Sequence, residues 1–214
     1  MLCVVFLLAA SVAPAASVAN YTATTANVSG APDAIRINIL RWSTDAERDK
    51  LMDAWMLKTP SPARGGRGGQ GRGVGRAGRG GGEATPAPKQ APEGMLAKAL
   101  QQSTTVGYLW SREVAGYSIR YAGRVANPDG SERIVLITQR RLGAVNNLWK
   151  PVGGESPAYD FSVIELHVKA NGDGEGKTSL NGKVAPDAAL HTFALENFDA
   201  LPVVLSRVQK QKSE

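Results

Sequence analysis

The chain is poor in the residues that most often carry chemistry. Its 214 residues include one cysteine, Cys3, and two histidines, His167 and His191. A lone cysteine excludes an intrachain disulfide and any metal site built from thiolates. The patterns G-x-S-x-G, H-E-x-x-H and Gly-x-x-x-x-Gly-Lys-Ser/Thr are all missing, and with them the usual signatures of a serine hydrolase, a zinc peptidase and a P-loop NTPase. Beyond the first twenty residues no apolar run reaches membrane-spanning length, which excludes a polytopic helical membrane protein. Full disorder is excluded as well, because hydrophobic residues make up 43% and charged residues 21% of the chain. No catalytic residue, metal ligand or cofactor is assigned from the sequence.

What is present begins with an uncharged N-terminus. Met1 to Ala19 contains the apolar run Leu2, Val4, Val5, Phe6, Leu7, Leu8, Ala9 and Ala10. Two small-x-small sites follow, Ala13-Pro14-Ala15 and Ser17-Val18-Ala19. An apolar core of that length followed by small residues reads as a secretory signal peptide over residues 1–19, although no Lys or Arg precedes it. The expected location is therefore secreted or periplasmic, with a retained N-terminal membrane anchor as the alternative. Cleavage would remove Cys3 and leave packing as the source of stability.

The sharpest composition shift lies at 60–94, where Pro-rich shoulders flank a Gly-Arg centre without Phe, Tyr, Trp, Leu or Ile. Such a stretch cannot bury enough apolar surface to offset its ordering entropy, so it reads as a disordered insertion. Six cations against two carboxylates give it +4 of the chain's net +6, so the basic character belongs mostly to the insertion. Arg64, Arg67, Arg72, Arg76 and Arg79 are the candidate contacts to a polyanion or anionic surface. No nucleic-acid partner is expected of an exported protein, and the tract has no aromatics for base stacking.

The insertion separates two helical patterns. Thr44-Asp45-Ala46-Glu47 is a capping box, followed by Leu51, Ala54 and Trp55 at helical spacing. Met95, Leu96, Ala99 and Leu100 form a second stripe, so the two segments read as a helical hairpin. Lengthening its turn to ~35 residues costs only about 1.7 kcal/mol in loop closure.

The remainder alternates with period two. Ile35, Ile37 and Ile39 share one strand face. Val106, Tyr108 and Trp110 are expected to share a second, and Tyr117, Ile119 and Tyr121 a third. Arg133 to Gln139 is apolar on both faces, as a central strand would be. Ile164, Leu166 and Val168 oppose Glu165, His167 and Lys169. Further strands are expected at 178–184, 191–197 and 203–208, with turns at Asn127-Pro128-Asp129-Gly130 and Asn171-Gly172-Asp173-Gly174. The expected architecture is α+β and mostly β: an antiparallel β-sandwich or partly open barrel with an inserted helical hairpin. One domain would comprise residues 20–59 and 95–214.

Three further patterns are read conservatively. Asn171 to Gly176 echoes the start of a calcium loop, but Gly182 stands where the bidentate carboxylate belongs, so it is expected to be a hairpin turn and no metal is assigned. His167 and Glu165 share a strand face without an assumed hydrogen bond. Trp110, Tyr117, Tyr121 and Trp149 with Arg112, Arg120, Arg140 and Arg141 could wall a cleft, but aromatics at strand spacing are more often core.

Several segments together resemble a family of secreted bacterial proteins without an assigned activity: Arg41-Trp42-Ser43-Thr44-Asp45-Ala46-Glu47-Arg48-Asp49, Val106-Gly107-Tyr108, Gly116-Tyr117, Arg120-Tyr121-Ala122, Pro128-Asp129-Gly130, Arg133-Ile134-Val135-Leu136, Ile164-Glu165-Leu166 and Gly174-Glu175-Gly176-Lys177. The resemblance implies a location outside the cytoplasm and no mechanism. It also marks the Gly-Arg tract as an addition, since such proteins join the two helices by a few residues. The functional expectation is an exported, non-enzymatic binding or structural module of unknown ligand. The alternatives are an enzyme with an unrecognised active site, or polyanion contact through the insertion.

Overall fold

The computed structural model describes residues 17–56, 92–112, 116–145, 148–152 and 156–212. In chain order the strands are β1 (Ala19–Thr25), β2 (Val28–Ser29), β3 (Ala34–Ile39), β4 (Gly107–Trp110), β5 (Tyr117–Ala126), β6 (Glu132–Thr138), β7 (Lys150–Pro151), β8 (Ser162–Val168), β9 (Asp173–Thr178), β10 (Val184–Asp187), β11 (Thr192–Leu195) and β12 (Leu205–Gln211). Two helices, α1 (Asp45–Trp55) and α2 (Pro92–Gln102), fall between β3 and β4. Eight strands form a closed antiparallel barrel in the order β1-β12-β9-β8-β6-β5-β4-β3, with β2–β7 and β10–β11 as small separate pairs. The mostly-β expectation with its helical hairpin therefore holds; the main sheet is a closed barrel, nearer the partly open barrel expected than the β-sandwich.

Closure depends on β1, which was not expected as a strand. Its sequence, ANYTATT, turns only Ala19, Tyr21 and Ala23 inward, and two of these are too small to give a strong alternating signal. It pairs with β3 on one side and β12 on the other, removing the two edges that an open sheet would expose. Ala19, the last residue of the expected leader, is already in this strand opposite Ile39.

An eight-stranded barrel is just wide enough for side chains to fill. Here Ile37, Ile39, Leu109, Ile119, Leu136, Ile164, Leu166 and Val208 fill it, together with Tyr117 and the indole of Trp149. A second apolar cluster lies outside the wall. Leu51 of α1 and Leu96, Ala99 and Leu100 of α2 pack onto Val135, Ile137 and Val163, with Phe161, Tyr159 and Phe193 beside them. β6 is apolar on both faces because Ile134 and Leu136 point inward while Val135 and Ile137 point to the helices.

The helix ends follow local rules. The Thr44 side chain accepts from Glu47 N–H while the Glu47 carboxylate accepts from Thr44 N–H. α2 begins at Pro92, inside the expected insertion, because proline presets the backbone angle of a first helical turn and Glu93 favours its N-terminus.

Two strand faces and one strand boundary differ from those expected. A bulge between Ile119 and Tyr121 turns Tyr121 out of the barrel toward the helices, so it does not share a face with Tyr117 and Ile119. Val106 is buried in the barrel core, whereas Tyr108 and Trp110 face outward and Leu109 inward. The strand expected at 178–184 begins instead at Asp173, within the expected turn. Gly174 and Gly176 permit this, since a Cβ at either would press on the β8 backbone or on the Leu166 side chain.

Candidate functional site

The outer face of β6, β8 and β9 gathers most of the buried charge. Register places Arg133, His167 and Glu175 in one row, and Val135, Glu165 and Lys177 in the next. The Glu165 carboxylate, 2% exposed, accepts from Arg133 Nε at 2.8 Å and from the backbone N–H of Leu195 at 2.8 Å. It also lies 2.9 Å from His167 Nε2, so the hydrogen bond not assumed from sequence is made. Arg133 continues to Asp187 at 2.8 Å, and Asp187 accepts from the N–H groups of Ala189 and Leu190. Burial alone would raise the Glu165 carboxyl. The bonds from His167 and Leu195 and the charge of Arg133 outweigh it and hold the group below the ordinary carboxylate range.

These groups fasten the β10–β11 hairpin and the turn after it to the barrel. Lys177 Nζ donates to the carbonyl of Phe198 at 2.8 Å and lies 4.4 Å from the centroid of that ring. The His167 ring stacks on Phe198 as well, with centroids 3.8 Å apart. Tyr121 Oη and Thr192 Oγ1, 3.0 Å apart, add a further tie between β5 and the hairpin. A cleft of about 540 Å³ opens beside His167, Arg133 and Glu175. His191 lies apart from this cluster's hydrogen bonds, exposed near the hairpin tip at φ 47°.

The other sequence-derived candidates separate. Arg64, Arg67, Arg72, Arg76 and Arg79 lie outside the described residues. Tyr117 and Trp149 are barrel core and Tyr121 is under the helices, so the aromatic wall does not assemble and only Trp110 is well exposed. Arg120 is committed to Gln139 and the Ser103 carbonyl. Asn171 to Gly176 is split between a hairpin turn and β9, with Asn171 Oδ1 accepting from the N–H of Asp173. Among the described residues, no group of three or more His, Cys, Asp or Glu is placed to hold a metal ion.

The opposite side of the barrel carries a surface that periodicity along the chain did not single out. Pairing register aligns Gln211, Asn20, Asn38, Tyr108 and Ser118 straight across β12, β1, β3, β4 and β5. The adjacent row is Gln209, Thr22, Arg36 and Trp110. Neither row contains a carboxylate. Asn38 donates to Asn20 Oδ1 at 2.7 Å, and Gln211 donates to Thr22 Oγ1 at 3.0 Å. Among the described residues the Arg36 side chain makes no hydrogen bond or ion pair. Trp110 is 40% exposed, and its ring centroid lies 5.5 Å from that of Tyr108 at a 31° tilt. Gly116 makes room for the indole, since a Cβ there would come within 2.7 Å of it. Period two in Asn20 to Thr24 and Arg36 to Asn38 was the available signal, but only register brings those strands together.

No known protein family, curated protein or solved structure matches this chain. Among the described residues no helix is long and apolar enough to cross a membrane.

Proposed function

We propose that this chain is an exported, non-enzymatic binding module that works through the outer face of β12, β1, β3, β4 and the start of β5. The observation that carries the reading is the pair of aligned rows, which combine an exposed tryptophan, an arginine unpaired among the described residues and a carboxylate-free set of amides and hydroxyls. The filled interior supports it, because a ligand of any size must then be met on the outside. So does the employment of Arg133, Glu165 and Lys177, whose hydrogen bonds hold the hairpin in place. Export is supported by the apolar leader. Cleavage after Ala15 would leave β1 whole, including the Val18 N–H that donates to Ile39.

The reading is tested by retardation of the full chain in native gels containing soluble polymers, neutral and anionic. Retardation lost on substituting Asn38 and Arg36 but kept on substituting Glu175 supports it; no retardation by any polymer refutes it.

One observation favours an enzyme instead: His167, oriented by buried Glu165, borders a cleft. That reading requires His167→Asn to leave stability unchanged, whereas a fastening role requires it to loosen the hairpin. Thermal melting and hydrogen exchange of residues 184–201 separate the two.

A further inference from the structure

We infer that the uncovered face binds a neutral polysaccharide, with Trp110 and Tyr108 stacking on sugar rings and the amide rows meeting the ring hydroxyls. This rests on the binding reading above and supplies the ligand's chemistry. A pyranose has an apolar face of C–H bonds, which suits the electron-rich face of an exposed indole. Its rim carries hydroxyls that both donate and accept. Carboxamides answer with both functions in one side chain. The single contact between Asn38 and Asn20 leaves the Asn38 carbonyl oxygen and the Asn20 amide nitrogen without a partner among the described residues. Arg36, directly opposite Trp110 and Thr22, presents a planar fork of donors that fits two vicinal hydroxyls.

Spacing supports an extended polymer over a single sugar. Neighbouring strands are about 4.8 Å apart, close to one sugar ring along a chain, so the five-strand row spans about 19 Å. Charge supports a neutral one. Arg36 is the sole cation in the two rows, whereas tight polyanion binding comes from neutralising many charges at once. A protein partner fits less well, because protein interfaces are centred on apolar residues and these rows are amide and hydroxyl apart from Arg36 and the aromatic pair toward one end.

The test uses affinity electrophoresis of the full chain in gels containing hydroxyethyl cellulose, dextran or heparin. A neutral glucan is expected to retard the protein, with no change on adding salt. Trp110→Ala should weaken that affinity about tenfold, as loss of an aromatic anchor does. Asn38→Ala, at a polar surface position, should weaken it several-fold with an unchanged circular dichroism spectrum, and Glu175→Gln on the far side should have no effect. The inference is overturned if neither neutral polymer retards the chain, or if the Trp110 and Asn38 variants bind as the parent does. Retardation by heparin alone overturns the neutral-glycan inference; it leaves the binding reading standing if it survives deletion of Ser61 to Ala91, and overturns that reading too if the deletion abolishes it. No retardation by any of the three overturns both.

Discussion

The two outer faces of the barrel are made of the same kind of strand and have opposite fates. On β6, β8 and their neighbours the outward residues are Val135, Ile137, Val163, Glu165 and His167, and two helices and a hairpin cover them. On β1, β3 and β4 they are Asn20, Thr22, Arg36, Asn38, Tyr108 and Trp110, and no helix among the described residues covers them. The covered face is held by apolar burial plus a few ionic bonds whose loss would strand buried charge. The uncovered face carries short side-chain contacts such as Asn38 to Asn20 and Gln211 to Thr22, so its residues are free to be chosen for something other than stability. An exposed tryptophan beside an arginine without an ion pair is the feature of that choice which folding alone does not require.

The contrast can be broken from either side, and the largest effect is expected at Glu165. Glu165→Ala removes the acceptor shared by Arg133, His167 and Leu195, and should cost about 3–5 kcal/mol in a denaturant titration, as rupture of a buried ion pair does. A loss under 1 kcal/mol would mean the hairpin is held by its apolar contacts. Leu100→Ala, on the buried face of α2, should cost about 2–5 kcal/mol from lost burial and the cavity left behind. Thr44→Ala removes the α1 cap and should cost about 1 kcal/mol. Single substitutions of Thr22, Asn38 or Gln209 on the uncovered face should stay within about 0.5 kcal/mol. A larger loss there would erase the distinction between the faces.

Acid sharpens the same comparison. Glu165 and Glu47 are both held below the ordinary carboxylate range in the folded chain, Glu47 at about 2 by the hydrogen bond and charge of Arg41 and by the N–H of Thr44. A carboxyl depressed by folding contributes stability that is present above its unfolded value and is lost as pH falls toward the folded one. For Glu47 that window runs from about 4.5 down to about 2. Denaturant midpoints should therefore fall across it, and Glu165→Gln should flatten the decline. Acid should first raise hydrogen exchange on the hairpin side, while the rows of β1 and β3 titrate little because they hold no carboxylate.

How far the residues foretold this depends on whether each signal was local. The capping box at Thr44 and Glu47 was legible because it lies within one helical turn. The strand expected at Arg133 to Gln139 was legible because an apolar run that short, with no polar parity, fits a strand covered on both sides; it runs from Glu132 to Thr138. β1 was not legible, since Ala19 and Ala23 look like linker residues until β3 and β12 flank them. Tyr121 was misplaced because a bulge of one residue reverses every face beyond it, and nothing in the sequence announces the bulge. The His167–Glu165 bond was visible as a spacing but not as a contact, because Leu195 and Arg133 from distant segments fix the carboxylate.

By itself the sequence determined that this chain is built from short alternating strands with two helices, that it carries a single cysteine and no P-loop pattern, and where its basic charge is concentrated. Those properties reside in composition and in periods of two and 3.6, which are felt within a few residues. The tertiary structure decided that the sheet closes, which outer face is covered, and that Asn20, Asn38 and Tyr108 stand in one row with Thr22, Arg36 and Trp110 beside them. Those are matters of register between segments as far apart in the chain as Asn20 and Gln211, set by the summed fit of the whole barrel core and by no single stretch of residues.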